Sequence, residues 1–140
     1  MGEDYEHWTW TIDQEEKQFD YIEQKIKDYN IEEYLLSHEE ITRKGERKPH
    51  YHGIVYTSKS NATNLVKHFV EKFKLRNTSG ERGGKRHYTL GKKPVYDIDH
   101  FRTYCCKDQN VRSNMSEAQL EHYINNSYKK DVRILKGPRR

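Results

Sequence analysis

The chain has very little cysteine, no long apolar run and few hydrophobic residues of any kind. Its only cysteines, Cys105 and Cys106, are adjacent, which excludes a disulfide scaffold joining distant segments and a cysteine-rich zinc site. No stretch approaches the roughly 18 consecutive apolar residues of a membrane span, and no secretory signal opens the sequence. These absences predict a reduced, intracellular protein.

What the chain does contain is charge and tyrosine. Of its 140 residues 32% are hydrophobic, which predicts one domain with a lean core, and its eleven tyrosines supply apolar area that suits the binding of flat ligands. The 26 basic residues exceed the 22 acidic ones only slightly. Their distribution is uneven, because the first forty residues are acidic while 42–48, 82–93 and 129–140 are basic. This pattern favours one face that meets phosphates.

Residue spacing predicts alternating strands and helices. Helical periodicity after Asp13, which we expect to cap the first helix, and capping-box spacing between Ser116 and Gln119 mark two helix starts. Two further helices are predicted, one from Ser60 or Asn61 and one between Asp97 and Lys107. The predicted strands are 7–12, 34–38, 50–57, 87–90 and 132–135.

This order of elements predicts an α+β fold. We expect a central antiparallel β-sheet of about five strands, with the helices packed mainly on one of its faces. The whole of 1–137 is expected to form one domain, with 138–140 as a frayed tail or linker.

Two histidines stand at the start of the predicted strand 50–57. Residues two apart in a strand point to the same side, so His50 and His52 project together while Tyr51 faces the opposite way. The pair is either two ordinary strand residues or two ligands of one divalent ion, and the pattern alone does not decide between them.

The preceding predicted strand ends in HEE and offers a further ligand. Its candidates are His38, Glu39 and Glu40. A carboxylate beside two imidazoles makes a mixed nitrogen and oxygen site suited to Mn²⁺, Mg²⁺ or another ion that must also hold a phosphate oxygen. A solvated charge cluster at a strand end is the alternative interpretation.

Two Tyr-x-x-Lys patterns offer a nucleophile for a bound phosphate. Tyr56 lies about 13 Å along the strand from His52, and its Lys59 would point to the opposite side. Tyr104 and Lys107 lie in a predicted helix, where residues three apart share a face. The geometry therefore favours Tyr104.

Three short motifs occur in an order that resembles a known family. The strand WTWTI, the histidine motif PHYHG and the tyrosine motif YCCKD resemble those of HUH endonucleases. The resemblance is strongest to the single-tyrosine replication initiators (Rep proteins) of circular single-stranded DNA viruses and rolling-circle plasmids. It covers residues 8–108, and the ordered trio is far more specific than any one motif. It implies an HUH/RRM-like Rep nuclease fold.

The resemblance also implies a reaction and its residues. His50 and His52 would bind Mn²⁺ or Mg²⁺ with Glu40 as the third ligand, or with His38 in its place; Glu39 is the less favoured position. Tyr104 would attack the scissile phosphate of single-stranded DNA and leave a 5′-phosphotyrosine and a free 3′-hydroxyl. Lys107 would hold the phosphate or lower the cost of forming the tyrosine phenolate. Reversal of the step would join strands, so the activity would be that of an endonuclease and nucleotidyltransferase in rolling-circle replication.

We expect aromatic and basic residues to bind the strand. Aromatic side chains would stack on bases, and a basic segment would follow the backbone. The candidates are Trp8, Trp10, Arg82, Lys85, Arg86, His87, Tyr88, Lys92 and Lys93.

The expected partners follow from the resemblance. They are a single-stranded DNA origin, with a stem-loop expected, and host replication proteins. Viral Rep proteins usually carry a helicase domain after the nuclease; no phosphate-binding GKT/S loop occurs here, so if the parent protein has a helicase, this chain is its excised nuclease domain. The location would be a host nucleus for a eukaryotic virus and otherwise the bacterial cytoplasm. Two alternatives remain: a non-catalytic single-stranded nucleic-acid-binding module, and a related HUH transposase or relaxase.

Overall fold

Four helices pack on a five-stranded antiparallel sheet, so the predicted α+β fold with a central antiparallel sheet is confirmed. The computed structural model describes residues 4–42, 44–78, 85–107 and 110–136. The strands lie in the order β4-β1-β3-β2-β5. The elements are β1 (Tyr5–Ile12), α1 (Phe19–Asp28), β2 (Glu33–Ile41), β3 (Arg47–Ser58), α2 (Lys59–Phe73), β4 (Tyr88–Leu90), α3 (Ile98–Cys105), β5 (Val111–Ser113) and α4 (Glu117–Lys136).

One face of the sheet carries α1 and α2 and holds most of the core. On β1, Trp8, Trp10 and Ile12 alternate into this face, and Tyr51 and Val55 of β3 join them. The Trp10 ring lies against Gly53, where a Cβ would stand 2.2 Å from Trp10 Cε2. Each large apolar side chain buried here contributes about 1.5–3 kcal/mol to folding. The α1/α2 face is therefore the main source of stability.

The opposite face carries α3 and α4. Leu35 of β2 and Ile54 of β3 pack there against Cys105 and Cys106, and Tyr123 of α4 closes the cluster. Asp97 caps α3 by accepting the backbone N–H of His100, at 3.1 Å. Because the end of α3 is anchored by its buried cysteines, the position of Tyr104 beside the sheet is fixed.

Serine side chains cap the N-termini of two helices. Ser58 caps α2, two residues before the predicted start at Ser60, by accepting the N–H of Asn61 at 3.2 Å. The predicted cap of α4 is confirmed, because the Ser116 hydroxyl accepts the N–H of Gln119 at 3.2 Å. Within the described ranges, no helix combines the length and apolar character that a membrane span requires.

Three predictions about the elements are wrong. The helices cover both faces rather than mainly one, because β2 is buried on both sides. Residues 132–135 continue α4 instead of forming a strand, and the fifth strand is Val111–Ser113. Asp13 does not cap α1, which begins at Phe19 after a 3₁₀ turn; Asp13 instead contacts His87 and Lys48. The predicted tail 138–140 lies outside the described residues.

Candidate metal centre and nucleophile

Two adjacent strands bring a carboxylate to the two histidines on the α3/α4 face. In the register of β2 and β3, Glu39 is the direct cross-strand partner of His50, and Ser37 is the partner of His52. Side chains two apart on one strand and directly opposite on the next share a face. Glu39, His50 and His52 therefore converge, and one ligand atom from each lies within 4.8 Å of the others.

The cluster is tight and nearly closed to solvent. Glu39 Oε1 lies 3.3 Å from Nε2 of each histidine, and the two Nε2 atoms are 2.9 Å apart. The Glu39 side chain is only 2% exposed. Burial opposes ionisation of this carboxyl, but hydrogen bonds to His50 and His52 and the nearby Lys107 charge outweigh it. The pKa of Glu39 is consequently well below its usual range, and the group is a carboxylate.

The donor set fits a cation. The Nδ1–H of His50 donates to the backbone carbonyl of Lys48 at 2.5 Å, which leaves its Nε2 lone pair directed at the cluster. In the neutral imidazole that lone pair faces the Glu39 carboxylate and the His52 nitrogen, so the group needs a positive charge, either a bound cation or a proton. Burial lowers the pKa of His50, but the Glu39 carboxylate and the Lys48 carbonyl outweigh it and raise the pKa, as expected if a proton takes that place when no cation does.

An unsatisfied oxygen supports the same conclusion. Glu39 Oε2 is buried and has no hydrogen-bond partner in the part of the chain that the structure describes. Buried carboxylate oxygens are normally paired, and a cation bound by Glu39 would pair this one. The group of Glu39, His50 and His52 can hold a metal ion.

Tyr104 stands beside this cluster. Its ring centroid is 5.7 Å from that of His52, with the two rings perpendicular. Lys107 follows in the turn after α3, where its Nζ lies 5.2 Å from the Tyr104 ring centroid and 3.4 Å from Glu39 Oε1. The predicted tyrosine and lysine therefore meet the metal candidate on one face of the sheet.

An open cleft of about 570 Å³ gives access to the site. Its floor includes His50, Glu39 and Tyr104, and its basic lining comes from the β2–β3 turn and from the segment before β4. The cleft is lined by Thr11, Asp13, Glu39, Thr42, Lys44, Glu46, Lys48, His50, Lys85, Arg86, Thr89 and Tyr104.

The structure corrects the expected third ligand. Glu40 and its alternative His38 point to the α1/α2 face, because residues one apart from Glu39 alternate to the other side of β2. Glu40 contacts Arg47 there, at 3.3 Å, and lies 3.4 Å from His38 Nδ1. His38 is a buried core residue whose Nε2 bonds the Gln14 carbonyl at 2.9 Å. Only Glu39 of the HEE stretch reaches both histidines.

The competing tyrosine lies elsewhere. Tyr56 is on the α3/α4 face but at the far end of β3, where it packs against His7. Lys59 Nζ lies 6.0 Å from the Trp8 ring centroid, on the opposite face. Tyr56 and Lys59 therefore do not lie together beside the histidines. This agrees with the distance and direction predicted from their spacing.

The expected DNA-binding residues divide into groups. Trp8 and Trp10 are 4% and 1% exposed in the core, which contradicts their prediction as stacking platforms. Tyr88 also packs against that core, and His87 Nδ1 bonds Asp13 at 3.0 Å. Of the basic candidates, Lys85 and Arg86 line the cleft, Lys92 and Lys93 are exposed outside it, and Arg82 lies outside the described residues.

Two lysines of the cleft were missed from the sequence. Lys48 precedes His50 by two residues and therefore shares its face, and its Nζ bonds the Arg86 carbonyl at 3.0 Å. Lys44 comes from the basic β2–β3 turn. The same period of two that pairs the histidines would have found Lys48, whereas the place of Lys44 depends on the turn.

The buried cysteines have a structural role. Burial raises the pKa of the Cys106 thiol to about 12 and that of Cys105 well above its usual value. Such thiols are protonated at neutral pH and are poor nucleophiles and metal ligands. They anchor α3 against the sheet.

No match to this chain was found among models of known protein families, curated proteins or solved structures.

Proposed function

We propose that the protein is a metal-dependent nicking and joining enzyme for single-stranded DNA, of the HUH endonuclease type, with Tyr104 as nucleophile. The observation that carries this proposal is the meeting of Tyr104 with the cluster of Glu39, His50 and His52. A tyrosine beside a group that can hold a cation, in an open basic cleft, supports attack on a phosphodiester.

The donor set favours a divalent ion with open positions. Two imidazoles and one carboxylate suit Mn²⁺ or Mg²⁺, which retain sites for phosphate oxygens. When bound, such a cation supplies positive charge to the non-bridging oxygens of the scissile phosphate. Glu39, His50 and His52 would hold it.

Tyr104 would form the new bond. Its phenolic oxygen attacks phosphorus and loses its proton, a tyrosine O–P bond forms, and the P–O3′ bond breaks. The departing 3′ oxygen takes up a proton and becomes a free hydroxyl, while the 5′ side of the strand stays on Tyr104. The ester keeps the energy of the broken bond, so attack by a 3′-hydroxyl reverses the step and joins strands.

Lys107 would position both the nucleophile and the phosphate. Its ammonium lies beside the Tyr104 ring and is held by Glu39 Oε1, in the cleft that the phosphate must enter. A charge fixed there before the reaction stabilises negative charge at low reorganisation cost. Lys44, Lys48, Lys85 and Arg86 would neutralise neighbouring phosphates of the strand.

A denaturing gel tests this function. The protein is incubated with Mn²⁺ and a mixture of labelled single-stranded oligonucleotides of random sequence, and a denaturant-resistant protein–DNA adduct is expected. The adduct should be absent with EDTA and with Tyr104→Phe, and present with Tyr56→Phe, which removes the hydroxyl of the competing tyrosine.

Two outcomes would contradict the proposal. An adduct that survives Tyr104→Phe would place the nucleophile at another residue. Absence of an adduct with the unaltered protein, while it still binds the strands, would favour a non-catalytic single-stranded nucleic-acid-binding module.

In a replication role, the free 3′-hydroxyl would prime synthesis, as in rolling-circle initiation. The partners in that role would be a single-stranded origin and host replication proteins. These are extensions of the nicking activity and stand or fall with the adduct experiment.

A further inference from the structure

A second cavity, of about 720 Å³, opens on the same face of the sheet at the other end of β1 and β3. His7 and Tyr56 form its aromatic wall, and they are direct cross-strand partners. Their ring centroids are 4.6 Å apart with an angle of 37° between the ring planes. Tyr96, whose side chain is fully exposed, stands at the rim. The cavity therefore presents flat rings to a flat ligand.

The imidazole of this wall is suited to stacking. Burial and the nearby positive charge of Arg102 lower the pKa of His7, so the ring is neutral at physiological pH. Tyr5 packs edge-on against Tyr56 with centroids 5.6 Å apart, which supports the tyrosine ring from behind. Stacking on such rings favours binding of a nucleobase, whichever of the four bases it is.

The remaining lining discriminates between a phosphate and a base. Four carboxylates border the cavity, those of Glu32, Glu33, Asp97 and Asp99. Among the described residues that line it the one cation is Arg102, which is paired with Glu33. This acidic lining repels phosphates, in contrast with the basic cleft beside Tyr104. Carboxylate oxygens accept hydrogen bonds from exocyclic amino groups of bases. The cavity thus favours adenine, cytosine or guanine over thymine, which has no amino group.

The two cavities open at the two ends of α3 on one face of the sheet. Tyr56 follows His52 by four residues on β3, a separation of about 13 Å. Ile54, between them on β3, is buried, whereas Thr9 on the neighbouring strand is partly exposed on the same face and Thr11 lines the cleft. Because bases of a stacked strand are about 3.4 Å apart, this distance spans at most about four nucleotides, and fewer in an extended strand.

We propose that the His7–Tyr56 cavity binds one unpaired base of the DNA strand, within about four nucleotides of the phosphate attacked by Tyr104. The proposal rests on the nicking function above and adds to it a site that selects sequence. The basic cleft holds the backbone, and the acidic aromatic cavity takes a base that bears an amino group.

Abasic scanning tests the cavity. A strand that binds the protein is selected from a random pool, and each of its bases is removed in turn. Affinities are measured in the Tyr104→Phe background, which keeps the strand intact. We expect one abasic position near the nick to weaken binding about five- to 150-fold, as loss of one stacked base does. In the His7→Ala/Tyr56→Ala double variant the intact strand should bind equally weakly, and that position should have no further effect.

Further variants guard against loss of folding. Tyr96→Ala alters a fully exposed side chain, so it cannot empty the core, and it should weaken binding at the same position to a smaller extent. Tyr29→Ala, on the opposite face, should leave the abasic profile unchanged. Thymine at the sensitive position should bind more weakly than each of the other three bases.

The outcomes separate this inference from the nicking function. An abasic profile that is the same with and without His7 and Tyr56 overturns the cavity, whether or not an adduct forms. A cavity-dependent profile with no adduct in the unaltered protein keeps the base site and overturns the nicking function. Failure of the unaltered protein to bind any strand overturns both.

Discussion

The two faces of the sheet use neighbouring residues for different purposes. On β3, Tyr51 is fully buried among aromatic and aliphatic side chains on the α1/α2 face, whereas His50 and His52 form the candidate metal site on the other. On β1, Trp8 and Trp10 belong to the core, whereas His7 and Thr11 border the two cavities.

This difference shows how a small apolar core on one face of the sheet leaves the other face available for a polar cluster. Alternation in a strand lets each pair of neighbouring residues contribute once to stability and once to chemistry. The stability comes from the α1/α2 face, so the α3/α4 face can carry a buried carboxylate and two imidazoles. Substitutions one residue apart should therefore have effects of different kinds.

The largest expected difference in stability is between two adjacent residues of β1. Trp10→Ala should lower the free energy of unfolding by about 3–5 kcal/mol, because it empties a large volume against Phe69 and Gly53. Thr11→Ala should cost about 1 kcal/mol, since it removes the 2.7 Å hydrogen bond to Thr89. Urea unfolding measures the free energy of unfolding of both variants. Similar decreases for Trp10→Ala and Thr11→Ala would contradict the proposed difference between the two faces.

A second comparison concerns adjacent carboxylates on β2. With Mn²⁺ at 100 times its dissociation constant, the unaltered protein should gain about 2.7 kcal/mol of stability. Glu40→Gln should keep this gain, because Glu40 faces the other side of the strand. Glu39→Gln should lose most of it. Thermal unfolding with and without Mn²⁺ gives the answer, and the reverse result would restore Glu40 as the ligand.

The smallest effect is expected from the surface charges. Replacing Lys85 and Arg86 by glutamine should reduce the slope of log affinity for single-stranded DNA against log salt concentration by about 0.7 for each lost phosphate contact. The same change at Lys92 and Lys93, which are outside the cleft, should leave the slope nearly unchanged. Equal changes of the slope for the two pairs of substitutions would contradict a defined path of the strand through the cleft.

Most of the fold could be predicted from local patterns. Strand alternation, helical periodicity and the cap at Ser116 found all four helices and four of the five strands. The second helical layer was missed, although β2 carries a signal for it. Tyr34, Leu35 and Leu36 form a continuous apolar run without alternation, which is typical of a strand covered on both sides.

The site could be predicted only in part. The shared face of His50 and His52 follows from their spacing. Tyr104 and Lys107 are close as predicted, but α3 ends at Cys105 and the turn after it, not the helix, places Lys107 beside the tyrosine. The third ligand depends on the register of β2 against β3, which pairs Glu39 with His50 just before the irregularity between Glu39 and Ile41. That register cannot be predicted from local sequence patterns. The burial of Trp8 and Trp10 likewise depends on which face of β1 the helices cover.

Peptide mapping of the DNA adduct tests most directly whether the tyrosine beside the candidate cation site is the nucleophile. The protein is incubated with Mn²⁺ and single-stranded DNA, digested with nuclease and protease, and the modified peptide is sequenced by mass spectrometry. We expect a 5′-phosphonucleotide on Tyr104 and on no other tyrosine. A nucleotide on Tyr56 or any other residue would contradict it.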